Sequence, residues 1–287
     1  MKTPSVLTAG LATVLLMSTA AAVDFHDHVG LQLYSLRLQF DQNVPRTLDL
    51  VKSYGVTEVE TWDGVKGMTV AQEAAELKAR GLRAVSAHMG YAAMKKDIAA
   101  VIRDAKTLGV DFIIIPSLPH GKEGLTVEDA HRIAADFNTF GAACQAAGLR
   151  FGSHPHGPEF RPTGGASGET VFDVIARETK PGLVSFEMDV FWAYQAGQDP
   201  VKLLEKYPDR WVALHVKDMR KGAPRGLFTG SAPPTDRVTL GAGEIDWPAI
   251  LRVAQKNGVQ HYLIEDETPT PLQCIPESVQ YLKALKL

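Results

Sequence analysis

Two histidines flank a proline in the stretch HPHG at residues 154–157, directly after a short apolar segment. Three later apolar segments also carry an imidazole or a carboxylate near their ends, at Asp189, His215 and Glu265. Two imidazole nitrogens and two carboxylates suit a divalent ion, and without a thiolate the choice stays open among manganese, zinc, cobalt and iron. A single such residue is more often an ordinary turn former, so the prediction of a metal site requires all four to converge.

Alternation along the strands predicts that the four side chains do converge. If the large apolar residues of each strand pack under helices, then His154, Asp189, His215 and Glu265 all face the other side. The same alternation turns Glu187 and Lys217 inward, and we interpret these two as a buried ion pair because a buried charge needs a partner. The sequence therefore predicts one divalent ion with positions left open for water or substrate.

The elements that carry these residues alternate between strand and helix. Eight short apolar runs are separated by segments of helical periodicity, one of which starts behind the predicted cap Thr69. This pattern predicts an α/β fold, a single (β/α)₈ TIM barrel over residues 23–287. An open doubly wound sheet is disfavoured because no G-x-G-x-x-G follows the first strand. The predicted strands are VGLQLYS, VTEVET, LRAVSAH, VDFIIIP, LRFGSH, LVSFEMD, WVALHV and HYLIED.

The first 22 residues have the layout of a cleavable signal peptide. Lys2 precedes an apolar run over residues 6–17, and three alanines precede Val23. We therefore expect a soluble exported protein, periplasmic or secreted, with no membrane contact beyond the export signal. The formal net charge of -3, with scattered basic residues, disfavours nucleic acid as a partner. A homo-oligomer remains compatible with the sequence.

Other motifs differ in what they predict. Cys144 and Cys274 are expected to be packing residues, and the long loop at residues 221–246 is expected to be functional. His26 and His28 in DFHDHVG precede the first strand, so we interpret them as lying outside any site. A ring of polar and aromatic residues at strand ends is predicted to contact a small-molecule substrate: Gln32, Tyr34, Glu60, His88, His120, Glu159 and Trp192.

The stretches GLQLYSLR, HPHGPEF, DVFWAYQAGQDP, LHVKDM, GAGEIDW and LIEDE resemble the xylose isomerase-like TIM barrels. That broad family of sugar phosphate isomerases and epimerases also contains inosose dehydratases, tagatose epimerases and the endonuclease IV branch. The resemblance implies one divalent metal on residues that end strands five to eight, which here are His154, Asp189, His215 and Glu265.

Two departures from the family pattern bear on the chemistry. Many relatives carry a glutamate where His154 stands, and in them the first and last ligands double as acid and base. One of those roles is therefore open here, with His156, Lys217 and Glu60 as candidates. Trp192 stands where the endonuclease branch needs a histidine, which disfavours a three-metal DNA-cutting site.

A divalent ion on a ketone oxygen acidifies the adjacent C–H bond, because its charge stabilises the enediolate. The sequence thus predicts an isomerase or epimerase of an unphosphorylated sugar or keto-sugar. The catalytic candidates are Glu265 and His156 as bases, ahead of Lys217, which is better suited to donate a hydrogen bond to an oxyanion. A lyase or dehydratase acting on a keto-sugar or 3-keto-glycoside is the first alternative, and a non-catalytic carbohydrate-binding barrel is the second.

Overall fold

The computed structural model describes residues 24–63, 65, 67–121, 124–165 and 168–287. Eight parallel strands close into a barrel, in which the first strand pairs with the second on one side and with the last on the other, so the predicted TIM barrel is confirmed. The predicted signal peptide, residues 1–22, lies outside the described residues. The barrel strands are β1 (Val29–Gln32), β2 (Glu58–Thr61), β3 (Arg83–His88), β4 (Phe112–Ile115), β5 (Arg150–Ser153), β6 (Ser185–Asp189), β7 (Trp211–Val216) and β10 (His261–Ile264).

Helices surround the barrel, and several begin at side chains that cap them. Thr69, Thr126 and Thr170 each form a capping box, so the cap predicted at Thr69 is confirmed. The helices are α1 (Arg37–Phe40), α2 (Val44–Ser53), α3 (Val70–Ala79), α4 (Tyr91–Leu108), α5 (Val127–Ala146), α6 (Val171–Glu178), α7 (Val190–Gln195), α8 (Pro200–Lys206), α9 (Trp247–Lys256) and α10 (Pro271–Ala284).

Aromatic packing outside the barrel determines which side chains of β5 and β6 point toward the helices and which point toward the barrel axis. Phe151 of β5 packs on Phe137 of α5 with ring centroids 5.3 Å apart, and Phe186 of β6 packs on Phe172 of α6 at 4.8 Å. The interior is tight: a Cβ on Gly152 would come within 2.8 Å of a methyl carbon of Ile114. Burial of the rings under the helices therefore turns the alternate, polar positions toward the barrel axis.

The long loop after β7 folds back by way of a small antiparallel ladder, β8 (Asp218–Met219) with β9 (Arg237–Val238). The buried carboxylate of Asp218 accepts hydrogen bonds from the backbone N–H groups of Met219 at 2.8 Å, Gly241 at 2.9 Å, Gly243 at 3.1 Å and Ile245 at 3.4 Å. One side chain thus organises both ends of this loop.

Replacing Asp218 with alanine is expected to lower the free energy of unfolding by about 3 kcal/mol, because it removes the acceptor of four backbone N–H groups, of which those of Met219 and Ile245 are buried. Urea denaturation followed by circular dichroism measures the change. Asp246→Ala is the matched control: Asp246 caps α9 through the N–H of Ala249, and its loss should cost only about 1 kcal/mol. Equal losses in the two variants would contradict the organising role of Asp218.

The remaining expectations about the chain concern cysteines and membranes. Cys144 and Cys274 are buried and unbonded, as the sequence predicts. Among the described residues, no helix has both the length and the apolar character needed to cross a bilayer.

Candidate metal centre

The four predicted ligands lie at the carboxyl ends of four neighbouring strands, in the order β10, β7, β6 and β5 around the barrel, and all are buried. Asp189, His215 and Glu265 offer ligand atoms that all lie within 4.8 Å of one another. His154 approaches this triad through Nε2, which is 3.9 Å from Asp189 Oδ2, and His215 Nδ1 is 3.3 Å from Glu265 Oε2. The structure therefore brings the four residues to one end of the barrel, where TIM barrel active sites lie.

The second ring nitrogen of each of these two histidines is held by a deeper carboxylate. His154 Nδ1 is 2.9 Å from Glu187 Oε2, and His215 Nε2 is 2.6 Å from Glu60 Oε2. Both glutamates are completely buried. Histidines that bind metals commonly use their other nitrogen in this way, which fixes the ring orientation and the tautomer. The rings are thus oriented with His154 Nε2 and His215 Nδ1 toward the two mouth carboxylates, Asp189 and Glu265.

The interpretation of Glu187 and Lys217 as an ion pair is wrong. Glu187 Oε2 lies within 3.2 Å of nitrogens of His88, His154 and His215. The ammonium of Lys217 instead reaches the mouth, where it lies 2.6 Å from Glu265 Oε2, 2.8 Å from Glu267 Oε2 and 3.2 Å from Asp189 Oδ2. Strand alternation gives the same inward direction to both residues but does not tell how far a long side chain extends along the axis.

A deeper combination of residues could also hold an ion. His88, His154, Glu187 and His215, the inner cluster, place ligand atoms within 4.8 Å of one another. Two of its imidazoles also belong to the outer set, which consists of His154, Asp189, His215 and Glu265. Strong ion pairs alone could account for this inner cluster. The outer set differs in composition because it combines two imidazoles with two carboxylates, and His154 and Glu265 of this set line the cavity.

Unpaired oxygens show that the residues fit a cation. Glu60 Oε1, Glu187 Oε1 and Asp189 Oδ2 are buried without a hydrogen bond within the described part of the chain. Asp189 Oδ2 has two charged or polar neighbours at ion-pair distances, the ammonium of Lys217 at 3.2 Å and His154 Nε2 at 3.9 Å. Buried acceptors normally have partners, so these oxygens mark positions where a bound cation would supply the missing partner.

Charges in the cluster shift the pKa values strongly. Burial by itself lowers the pKa of His215, but the charges of Glu187, Glu60 and Glu265 outweigh it and raise that pKa well above its ordinary value. Burial and the neighbouring His215 lower the pKa of His154. The metal-free cluster therefore carries a proton on His215, and metal binding there must release it.

The acidic and basic groups at the mouth are also shifted. Burial raises the pKa of Asp189 to about 6, although Lys217 opposes the shift. Burial lowers the pKa of Lys217, but Asp189, Glu265 and Glu267 outweigh it and raise that pKa, so the side chain stays cationic. Burial lowers the pKa of His156 to about 4, so its imidazole is neutral near pH 7.

A cavity of about 380 Å³ opens above the ligands. Of the residues predicted to contact a substrate or to act in catalysis, the cavity wall includes Tyr34, His88, His156, Trp192 and Glu265. The side chain of Trp192 lies beside His156, with ring centroids 5.6 Å apart. These positions allow ring stacking and polar contacts with a sugar-sized molecule.

Other predicted substrate residues lie elsewhere. Gln32 and Glu60 are buried beneath the histidines, where Gln32 Nε2 donates to Glu60 Oε2 at 2.7 Å. His120 and Glu159 line a smaller adjacent recess that also contains His156. Gln32 and Glu60 are still within the strands, one layer below the mouth, which explains why they support the ligands instead of facing the cavity.

Several cavity residues were missed by sequence reasoning: Trp62, Asp63, Ser117, Ser231, Arg237 and Glu267. Ser231 and Arg237 belong to the long loop, which its length alone indicated to be functional. Arg237 is held by Glu267, with Nε 3.3 Å from Oε2, and its guanidinium lies 5.4 Å from the ring centre of Trp192. No strand or helix period exists in such a loop, so its sequence could not tell which side chains reach the cavity.

A closed barrel with a buried cluster of histidines and carboxylates at its carboxyl-terminal mouth defines a class, the TIM barrels with a candidate metal centre at the mouth. The chain belongs to the xylose isomerase-like TIM barrel family, whose model matches residues 48–285.

Individual relatives agree with this class. An inosose dehydratase of Clostridium perfringens is 26% identical over 183 residues, which cover 58% of this chain and 56% of that protein. The chain thus matches little more than half the length of this curated relative. A crystal structure of a sugar phosphate isomerase/epimerase from Parabacteroides distasonis is 25% identical, with a TM-score of 0.73 over 96% of this chain and 98% of the other. A structure of the IOLI protein with a binding zinc atom shares the fold at 15% identity, with a TM-score of 0.68 over 89% of this chain and 95% of the other.

Proposed function

We propose that the protein is a divalent-metal-dependent enzyme that removes the proton beside the carbonyl of an unphosphorylated sugar or keto-sugar. Isomerisation or epimerisation is the first candidate outcome. The observation that carries the proposal is the convergence of His154, Asp189, His215 and Glu265 beneath a sugar-sized cavity. Manganese, zinc, cobalt and iron suit this ligand set, and the zinc in the IOLI protein structure supports it.

A bound ion would supply Lewis acidity to the carbonyl oxygen and so favour loss of the adjacent proton. His156 is the first choice as base, because its imidazole faces the cavity and is neutral near pH 7. Glu265 is the second choice, since its Oε2 is already engaged by His215 and Lys217. Lys217 stays cationic and is the donor to the oxygen on which negative charge develops.

The charges around the cavity favour a substrate without phosphate. Arg237 and Lys217 both bind Glu267, and Lys217 also binds Glu265. Among the described residues of the cavity wall, Arg237 is the only lysine or arginine, and Glu267 counters its charge. The proposal includes export, which the first 22 residues predict. Because sugar phosphates are intracellular compounds, an exported enzyme would act on a substrate without phosphate.

Dehydration is a second candidate. The inosose dehydratase relatives favour it, since loss of water beside a carbonyl starts with the same proton abstraction. A barrel that only binds carbohydrate is the remaining alternative and differs in performing no proton transfer.

Solvent deuterium exchange tests the proposal directly. The manganese-loaded protein, incubated in D₂O with a panel of ketoses, keto-inositols and 3-keto-glycosides, is expected to introduce deuterium at one carbon beside the carbonyl, as seen by NMR. His156→Gln should slow the exchange by about 100-fold, in the range of general base catalysis, whereas the surface control His131→Gln should not. Binding of a sugar without any exchange would support the carbohydrate-binding alternative, and appearance of an unsaturated product would select dehydration.

A further inference from the structure

A second group of metal-ligand residues lies at the opposite end of the barrel from the cavity. His28 ends the turn Phe25–His28 before β1, Glu58 begins β2, and His261 begins β10. Their ligand atoms all lie within 4.8 Å of one another. From this geometry we infer that His28, Glu58 and His261 form a second, structural site for a transition-metal dication such as zinc.

The contacts around Glu58 place both imidazoles on one carboxylate. His261 Nδ1 is 2.7 Å from Glu58 Oε2, and His28 Nδ1 is 3.3 Å from Glu58 Oε1. Glu58 and His261 are buried, whereas the His28 side chain is 31% exposed. Two imidazoles and one carboxylate suit zinc or another first-row dication, and the exposed side of His28 provides an entry path and room for water ligands.

Arg83 is the main competitor for Glu58. Its Nη2 lies 3.0 Å from Glu58 Oε1, but its Nη1 is bound to Asp111 at 2.8 Å. The guanidinium is thus neutralised by Asp111, and Glu58 Oε2 remains on the side of His261. A dication therefore meets one net negative charge in the group formed by Arg83, Asp111 and Glu58.

The position of the group indicates a structural role. β1 pairs with both β2 and β10, and the three ligands come from β2, β10 and the turn that leads into β1. An ion bound here would connect the segment before β1 to both neighbouring strands at the point where the barrel closes. The site is independent of the proposed enzymatic function, because it shares no residue with the mouth.

Zinc stoichiometry in a chain that lacks the two carboxylate ligands of the mouth tests the inference. Asp189→Asn/Glu265→Gln protein, dialysed against zinc chloride alone and analysed for metal, is expected to keep about one equivalent and to gain thermal stability from it. Adding His28→Ala or His261→Gln should weaken that zinc at least about ten-fold, whereas His131→Ala, a surface histidine outside the group, should not. His28 is half-buried at the surface, so its variant tests the ligand role even if His261→Gln fails to fold.

Two outcomes would overturn the inference. One is that the Asp189→Asn/Glu265→Gln protein takes up no zinc. The other is zinc that persists after His28 and His261 are replaced, which would place the ion in the inner cluster of His88, His154, Glu187 and His215. The first outcome does not bear on metal binding at the mouth. The second does, because His154 and His215 belong to both groups, so binding at the mouth is measured separately in the wild-type chain.

Discussion

Asp189→Asn and Glu265→Gln are each expected to lower the affinity of the mouth for manganese by more than about 100-fold and to abolish proton exchange. Each substitution removes a charged oxygen ligand, and loss of a residue that only orients a ligand already costs 10–100-fold. Isothermal titration with manganese, alongside the deuterium assay, measures both effects.

Asparagine is the informative replacement at Asp189 because the carboxylate also caps a helix. Asp189 Oδ1 accepts the backbone N–H of Trp192 at 2.9 Å and caps α7. Asparagine keeps this cap, whereas alanine would also cost about 1 kcal/mol of stability. Metal loss in a folded Asp189→Asn chain therefore reports on the charged oxygen at the mouth and not on the helix cap.

The matched control is Glu76→Gln, which removes a carboxylate paired with Arg80 at the surface of α3. Its metal affinity should equal that of the wild type. If Asp189→Asn and Glu265→Gln are folded and bind manganese as the control does, the mouth is not a metal site and the proposed enzymatic function falls with it.

The barrel could be predicted because its signals are local and repeated. Short apolar runs predict the strands. The residue type and spacing of Thr69 alone predict that α3 begins directly after it. The convergence of His154, Asp189, His215 and Glu265 at the mouth followed from alternation, which depends only on the extended backbone of the strands. Their role as ligands stays a prediction.

What the sequence could not predict depends on distances along the barrel axis and across loops. The partners of Glu187 and Lys217 were assigned incorrectly because side-chain length decides which layer a charge reaches. Arg237 reaches the cavity only because Asp218 fixes the two ends of a loop that has no periodicity. His28 was set aside because it precedes the first strand, yet Glu58 and His261 approach it from residues far away in the sequence.

Glu187 explains how a histidine can stand at position 154, where the family resemblance predicts a glutamate. If His154 is a ligand, its imidazole is a neutral one, and Glu187 Oε2, 2.9 Å from His154 Nδ1, would supply the missing negative charge from the next strand. The burial of Glu187 raises its pKa, but His215 and the hydrogen bonds from His154 outweigh this and hold the pKa well below its ordinary value. The carboxylate is thus ionised where it orients the ring.

Glu187→Gln is expected to weaken manganese binding at the mouth by about 10–100-fold while keeping one ion per chain, the range found for residues that orient metal ligands. An amide can still contact one imidazole, but it lacks the charge that fixes the orientation of His154 and of its neighbours His88 and His215. Glu60→Gln is the parallel variant, because Glu60 holds His215 in the same way through Nε2. Titration with manganese gives both affinities, and circular dichroism verifies the fold.

The cobalt spectrum distinguishes orientation from direct ligation. If Glu187 only orients His154, the visible absorption of the cobalt-loaded Glu187→Gln chain keeps the wild-type band positions once the site is saturated. If the ion instead occupies the inner cluster, Glu187 is a ligand, so its replacement should shift the bands and weaken binding as severely as Asp189→Asn does. That result would move the ion one layer down the barrel, away from the cavity, and would leave Lys217 and Asp189 as a simple ion pair at the mouth.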